Sequence, residues 1–335
     1  MTDEAKLLRR LQQVMDGYLT TQVLYAASEL GVLDALASRP QTAAELAESA
    51  GVAADPLRRI LRGLVIEEVA LENADGSFEL TELGSALARR PGSLQVRGSF
   101  YYRAAAGLLD ALRTGGTAFE VVHGQPFFGY LDAHPDAQAG FEGSMAGRAV
   151  AEARDVVAAY DFGAYRTIVD VGGGRGILLA AILDSAPQSA GVLLDRPAPV
   201  EQARAHLAGA GLADRVRFVA GDFFAEVPAG GDAYLLARIL HDWDDAAALK
   251  ILDRCRAAMA PGSRLLVVDA LLPERADREA PGAIRMDLHM LVLFGSEERT
   301  GNHLSALIDQ AGFSVQRIIP TNSPDGLAIV EATPR

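Results

Sequence analysis

Three groups of residues in this 335-residue chain have the types and spacing to do chemistry. The first is Asp170-Val-Gly-Gly-Gly-Arg-Gly176, which follows a short β-rich run and opens an apolar helical run, Ile177 to Leu183. Its glycines permit a tight turn and a close approach of backbone to a ligand beneath a helix N-terminus. The second is Asp195, which ends the next β-rich run 19 residues after Gly176. A carboxylate in that place can accept two hydrogen bonds from ribose hydroxyls. The third is His241 with Asp269, each placed directly after a further β-rich run. If those two strands are neighbours they lie ~4.8 Å apart, and both side chains rise into the crevice outside the carboxyl ends of the sheet. The spacing alone thus predicts a histidine with a carboxylate beside it.

Other chemistries fit less well. A dinucleotide fingerprint needs glycine at 177, where Ile177 stands, so an NAD-dependent oxidoreductase is disfavoured. Asp222, in Gly221-Asp-Phe-Phe224, either grips an adenine amino group or caps a helix. Asp242, Asp244 and Asp245 could suggest a hard metal, but Asp244-Asp245 sit where a helix begins, and carboxylates there meet the helix dipole favourably. No metal is expected. One cysteine, Cys255, permits no intrachain disulfide, which fits a reducing compartment.

The elements that must carry these residues change style near residue 165. Before it the patterns are helical. Leu7, Leu8, Leu11, Val14 and Met15 recur at helical steps. Thr42 with Glu45 predicts a capping box for a helix from Ala43 to Ala50. Asp55-Pro56 predicts an N-cap with proline at the first helical position, for a helix to about Val65. Val69 and Leu71, the turn Asn73-Ala-Asp-Gly76, then Phe78 and Leu80 predict a hairpin, so the order is that of a winged helix. A helical stretch of about 95–160 follows, carrying Phe100, Phe127, Phe128, Phe141 and Met145.

After residue 165 short β-rich runs alternate with helical ones: Thr167–Val171, Gly191–Leu194, Val216–Ala220, Tyr234–Leu240, Arg264–Val268, Phe313–Ile319 and Leu327–Ala332. That alternation predicts a mostly parallel sheet covered on both faces. The last two runs are too close in sequence for a parallel crossover and should pair antiparallel. The expected fold is an α/β doubly wound sheet ending in one antiparallel strand, behind a helical winged-helix region.

Taken in order, Val169-Asp-Val-Gly-Gly-Gly-Arg-Gly176, Leu194-Asp195, Gly221-Asp-Phe-Phe224, Leu240-His-Asp-Trp-Asp-Asp245 and Gly295-Ser-Glu-Glu-Arg-Thr300 resemble the S-adenosylmethionine-dependent O-methyltransferases of the caffeate/acetylserotonin type. Bacterial relatives include polyketide and antibiotic tailoring enzymes. The resemblance covers nearly the whole chain. It implies a Rossmann-like catalytic domain over 161–335, a helical linking and substrate-lining region over 96–160, and a winged-helix domain over 1–95 through which the protein forms homodimers. It implies that Asp170 and Gly172 line the methyl-donor pocket, that Asp195 holds the ribose, and that Asp222, Phe223 and Trp243 surround the adenine. His241 is then the general base, flanked by Asp269 and Glu298, with Glu297 the spare, solvated carboxylate. One departure is visible: four residues before His241 the family often places Lys or Ser against the cofactor, and Ala237 stands here.

The chemistry so implied moves a sulfonium methyl to a hydroxyl of a small aromatic acceptor, leaving S-adenosylhomocysteine. A phenol of pKa ~10 facing a histidine of ~6.5 leaves a gap of roughly 5 kcal/mol, so deprotonation concerted with transfer is expected. Positioning can contribute ~7–11 kcal/mol, the larger effect. Met286, Met290, Leu291 and Phe294 have helical spacing; by resemblance Met290 and Phe294 face the acceptor, and with Met145 and Phe127 or Phe128 (Phe128 preferred) they suggest a flat aromatic one. The alternatives keep the cofactor but methylate N or C, or replace methyl transfer by hydroxylation, decarboxylation or a pericyclic reaction. A more distant one is a winged-helix DNA-binding regulator using Arg58, Arg59 and Arg62. Against it stand 31 basic and 44 acidic residues, a net charge of −13, and the acids Glu67, Glu68, Glu72 and Asp75 in the wing. Half the chain is hydrophobic (50%), enough for a sizeable core. No apolar run reaches the ~18 residues of a membrane span, and the charged start is unlike a signal peptide. Cytoplasmic residence is expected, with neither nucleic acid nor membrane as partner.

Overall fold

The computed structural model describes residues 3–276, 278 and 281–335. They form two compact units, 1–147 and 148–335. The boundary falls inside the helix Pro135–Ala159.

The first unit opens with helix Asp3–Met15, whose Leu7, Leu8, Leu11, Val14 and Met15 all remain exposed. Thr42 and Glu45 form the expected reciprocal cap on helix Ala43–Ala50. The next helix starts two residues earlier than the Asp55-Pro56 signal predicts, running Ala54–Ile66 with Ala53 as N-cap. Asp55 and Pro56 therefore lie in its first turn, where the missing proline N–H has no helical partner to lose. The hairpin is present: Ala70–Glu72 pairs antiparallel with Ser77–Leu80, and Gln41–Thr42 adds on the other side. Leu46, Leu57, Leu61, Leu64 and Phe78 are buried beneath it. Arg62 donates to Glu72 of the wing at 3.0 and 3.1 Å, so one arginine of the expected recognition helix is already paired. The rest of this unit is helical, but in short pieces: Pro91–Val96, a kinked turn at Arg97–Tyr101, Tyr102–Ala105, Leu108–Thr114, Ala118–His123 and Phe127–Ala133.

The second unit is the doubly wound sheet. Its strands are β1 (Thr167–Val171), β2 (Ala190–Asp195), β3 (Val216–Ala220), β4 (Ala233–Ala237), β5 (Arg264–Leu272), β6 (Phe313–Pro320) and β7 (Leu327–Pro334). They lie in the order β6-β7-β5-β4-β1-β2-β3. The first five are mutually parallel where they pair, and β7 is antiparallel to both β5 and β6. The antiparallel strand is thus not at the edge, as the expectation of a sheet ending in one had it. The chain's last strand inserts between β5 and β6, because its apolar run (Leu327, Ile329, Val330, Ala332) is buried on both faces while β6 carries exposed Arg317 at the rim.

Side-chain alternation divides the core into two layers. Val169, Tyr234, Leu236, Leu265, Val267 and Val330 face helices Asp245–Ala258 and Gly301–Gln310. Ile168, Leu235, Leu266, Val268 and Ile329 face helices Ile177–Ser185 and Pro197–Gly209 and the end of Pro135–Ala159. Strands buried on both faces read as continuous apolar runs, which is why these were visible in the sequence. Leu235 on β4 is fully buried. Leu235→Ala is expected to destabilise this unit by about 2–5 kcal/mol, measured as a lowered urea midpoint.

Candidate active site

β4 ends at Ala237, and the residues that follow build the reacting end of the sheet. Arg238 has φ +56, a left-handed backbone that turns the chain out of the strand while its N–H still donates to the Val268 carbonyl at 2.9 Å. The tight turn Leu240–Asp242 then presents His241. His241 is therefore separated from its strand by three residues rather than following it directly. Asp269 does not follow its strand either: it lies within β5, opposite Ala328 of β7. Pairing with β7 and with the two-residue strand Arg299–Thr300 carries β5 past the point where β4 stops. β4 and β5 are neighbours, as the crevice argument requires.

The partner of the imidazole is Glu298. His241 Nδ1 lies 3.2 Å from Glu298 Oε1, and because a carboxylate only accepts, Nδ1 carries the hydrogen. That leaves Nε2 as the nitrogen that can take a proton, with half-exposed Asp242 at 3.5 Å from it. The Glu298 side chain is wholly buried, and its backbone N–H donates to Asp287 Oδ1 at 3.0 Å. Glu297 is exposed. Asp269 acts on His241 through its charge, and its Oδ1 is buried without a hydrogen-bond partner, as is Glu298 Oε2. Burial alone would lower the pKa of the imidazole; the hydrogen bond to Glu298 and the charges of Asp269 and Asp242 outweigh it and raise the value to about 9. Burial raises Asp269 to about 7, against the pull of His241.

Three residues that the sequence reading missed hold this end together. Arg299, almost fully buried, donates to the Leu240 carbonyl at 2.7 Å, the Trp243 carbonyl at 2.7 Å and Asp245 Oδ1 at 2.9 Å. It clamps the turn that carries His241. Arg238 reaches Glu152 on helix Pro135–Ala159 at 2.6 Å and Glu298 at 3.5 Å. A charged residue inside the run from Tyr234 to Leu240 was the available signal for Arg238; Glu152 lies far away in sequence and carried none. Asp244 caps helix Asp245–Ala258 through the Ala247 N–H, and Asp245 is taken by Arg299 and His303, so the acidic cluster is accounted for without a metal. Among the described residues no group of three or more His, Cys, Asp or Glu could hold one.

The glycine loop lies beside this turn. Gly172 has φ +76, and a Cβ there would fall 2.4 Å from Ile239 Cδ1 and 3.5 Å from Phe223. Residue 172 thus has to be glycine for Ile239, two residues before His241, to pack against the loop. Gly174 N–H donates to Asp195 Oδ2 at 2.8 Å, and Arg196 N–H to Oδ1, so each oxygen of Asp195 keeps a lone pair for a further donor. Asp170 is fully buried with Oδ2 unpartnered, and burial together with the Asp195 charge raises it to about 7. Phe223 and Phe224 each meet Trp243 edge to face, the Phe224 and Trp243 centroids 4.8 Å apart. Asp222 is exposed and accepts from the Phe224 N–H within its own loop. Unpartnered acid oxygens, a backbone without side chains and an aromatic surface suit a ligand that joins cationic centres, a ribose and an adenine.

For the acceptor side, Met286 and Met290 are buried on helix Pro281–Leu293 together with Ala283 and Leu293, whereas Leu291 is exposed and leaves the expected stripe. Phe294 is half-buried just past the helix end. In the first unit Phe128 packs edge-on against Phe127 at 5.3 Å while staying largely exposed, and Met145 is half-buried.

Comparison with known proteins identifies the family. Residues 12–90 match the O-methyltransferase dimerisation domain and residues 106–314 the O-methyltransferase domain. The chain is 43% identical over 330 residues to phenazine O-methyltransferase PhzM of Lysobacter antibioticus, covering 97% of this chain and 95% of that one. It is 36% identical over 338 residues to the 8-amino-8-demethylriboflavin N,N-dimethyltransferase of Streptomyces davaonensis, covering 98% and 96%. Among solved structures it is similar to the O-methyltransferase NcsB1 from neocarzinostatin biosynthesis in complex with S-adenosylmethionine and 2-hydroxy-5-methyl naphthoic acid. The TM-score is 0.78 at 34% identity, over 94% of this chain and 96% of that one.

The Arg299 clamp makes a measurable claim. Arg299→Met takes their donor from the Leu240 and Trp243 carbonyls, at about 1–3 kcal/mol each, while Asp245 keeps His303. The expected result is a lowered denaturation midpoint and a red-shifted emission from Trp243, the single tryptophan of the chain.

Proposed function

The chain belongs to the family of S-adenosylmethionine-dependent O-methyltransferases, and we propose that in it His241 is the general base that frees a hydroxyl of a small aromatic acceptor. The observation that carries this reading is the Nδ1–Glu298 hydrogen bond, which leaves Nε2 available in the crevice beside the glycine loop. Asp170, Gly172 and Asp195, with Asp222, Phe223 and Trp243, would hold the donor. When bound, S-adenosylmethionine supplies a sulfonium-activated methyl carbon. The protein's own part is to position the acceptor hydroxyl, take its proton at Nε2 and stabilise the resulting imidazolium through Glu298 and Asp269. Met290 and Phe294 offer the acceptor an adaptable apolar wall.

A proton affinity near 9 has two consequences. Against a phenol near ~10 the gap narrows to about one unit, so transfer to a neutral His241 costs little. However, at pH 7 only about 1% of the donor-free imidazole is neutral, given a value two units higher. A positive charge entering the crevice lowers that value and releases the base.

Dimerisation through the first unit is supported by the uncovered apolar face of helix Asp3–Met15 and by the dimerisation-domain match. Among the described residues no helix is long and apolar enough to cross a membrane. Cytoplasmic residence is the reading that suits a lone buried cysteine.

Two experiments test the assignment. With methyl-labelled donor and a panel of phenols, hydroxybenzoates and naphthoates, label is expected on oxygen; label on nitrogen or carbon would overturn the acceptor class. His241→Asn should lower kcat by about 10²–10⁴-fold, with part of the loss recovered on phenols that are already acidic; unchanged kcat would remove His241 from the role of base. Because the base must be neutral to act, kcat/KM should rise with pH towards the value of His241. Glu298→Gln removes a contribution that raises it, so the rise should move to lower pH in a kcat/KM profile.

A further inference from the structure

We propose that Arg238 is a positioning residue for the base: held by Glu152, its guanidinium fixes the Glu298 carboxylate against His241 and offsets the surplus negative charge there, so that the imidazole can give up its proton. The inference rests on the reading of His241 as general base and adds to it a residue whose side chain meets Glu152 and Glu298.

The backbone supplies the first argument. Among the described residues only Glu68 and Arg238 have a positive φ without being glycine. Such a conformation costs free energy and persists where the surroundings over-determine it. At 238 a glycine would relieve the strain, so what the fold gains from an arginine lies in its side chain. The left-handed turn sends consecutive residues to different tasks: Ile239 packs on Gly172, and Arg238 reaches Glu298.

The second argument is connectivity. Arg238 Nη2 donates to Glu152 Oε1 at 2.6 Å, and its Nε lies 3.4 Å from Oε2, so the two groups meet as a fork. Glu152 is held from its other side by Arg148 at 2.7 Å, and Arg148 in turn faces Asp325 at 3.6 Å. A row of alternating charges, Arg148, Glu152, Arg238, Glu298, thereby ends on the imidazole. Burial by itself would raise the pKa of Glu152, yet its two arginines hold it below the usual carboxylate range.

The third is the charge inventory around His241. Asp242 faces it from its own turn, Asp269 from β5 and Glu298 from the segment before Arg299. Behind these stand Asp287, which binds the Glu298 backbone, and Arg299, which is committed to two carbonyls and Asp245 with His303. Glu152 and Arg148 come from helix Pro135–Ala159. Three carboxylates thus bear directly on one imidazole, and Arg238 is the cation in contact with the orienting one. Arginine stays charged throughout the working range, so this compensation does not titrate away.

The test is the titration of His241 in the full-length ligand-free chain, followed by histidine ring NMR and assigned by its loss in His241→Asn, alongside pH profiles of kcat/KM. In Arg238→Met, and in Arg238→Asn (a residue that tolerates the left-handed backbone), His241 should titrate about one pH unit higher. Activity at neutral pH should then fall about tenfold and recover at higher pH. Arg238→Lys should stay close to wild type. Glu152→Gln leaves the guanidinium charge uncompensated, so its shift should have the opposite sign. Equal titration in all variants, with activity lost uniformly across pH or not lost at all, would overturn the proposal. If His241→Asn keeps wild-type activity, the general-base reading fails by itself; opposite shifts in the Arg238 and Glu152 variants would still establish the electrostatic link.

Discussion

A protonatable imidazole hydrogen-bonded to a buried carboxylate is expensive to assemble, and the catalytic end of this chain is arranged around doing so. Glu298 has no exposed side-chain surface, and Asp269 is buried with an oxygen unpartnered. Inside a protein such charges are desolvated and their mutual repulsion is weakly screened. Burial pushes Asp269 up to about 7 even with the cationic groups of His241 and Arg238 beside it. The groups that meet at His241 come from separate elements: β5 brings Asp269, the segment leading into Arg299 brings Glu298, helix Pro135–Ala159 brings Glu152, and the turn after β4 brings Arg238. No local stretch of chain could gather them. The parallel neighbourhood of β4 and β5, with both core layers filled, is what places them together.

The same turn also packs on the glycine loop. Ile239 closes on Gly172, so the position of the base and the shape of the glycine loop are mechanically joined through one side chain. Arg299 ties down the carbonyls on either side of His241. Because one of these belongs to Trp243, the edge-to-face contact of its ring with Phe224 is fixed by the same guanidinium. The walls are acidic at both ends, with Asp170 and Asp195 below the loop and Asp242, Asp269 and Glu298 around the base. An electropositive ligand is therefore favoured over an anionic one in this crevice.

Local signals in the sequence carried far. The inner parallel strands were legible because burial on both faces writes itself as a largely apolar run, and the Thr42–Glu45 cap because its two hydrogen bonds span three residues. That His241 and Asp269 would come from neighbouring strands was legible from the same periodicity, but neither directly follows its strand and the acid bonded to the imidazole is Glu298. What was not legible depends on tertiary pairing. β5 runs through Asp269 because β7 and Arg299–Thr300 hydrogen-bond to it, and nothing near Asp269 announces those partners. His241 stands beyond its strand because a left-handed residue, which only coordinates reveal, intervenes. Likewise the insertion of β7 inside the sheet is decided by which strand buries more apolar surface. Arg299 and Glu152 are chemically ordinary residues made essential by distant partners.

These charges bear on rate through two opposed effects. Raising the proton affinity of His241 makes it a stronger base but leaves less of it unprotonated. Each unit above the working pH lowers the neutral fraction tenfold, whereas the gain in reactivity per unit is smaller because the Brønsted dependence is fractional. Beyond the working pH, further stabilisation of the imidazolium therefore slows the reaction. Glu298 is needed to fix the tautomer, so the site cannot avoid the carboxylate that causes the excess. A permanent cation on that carboxylate resolves the conflict, since it preserves the orientation while reducing the field at the imidazole. With His241 proposed as the base, the left-handed backbone at residue 238 brings the guanidinium in from the strand that precedes it, in the few residues available before the turn.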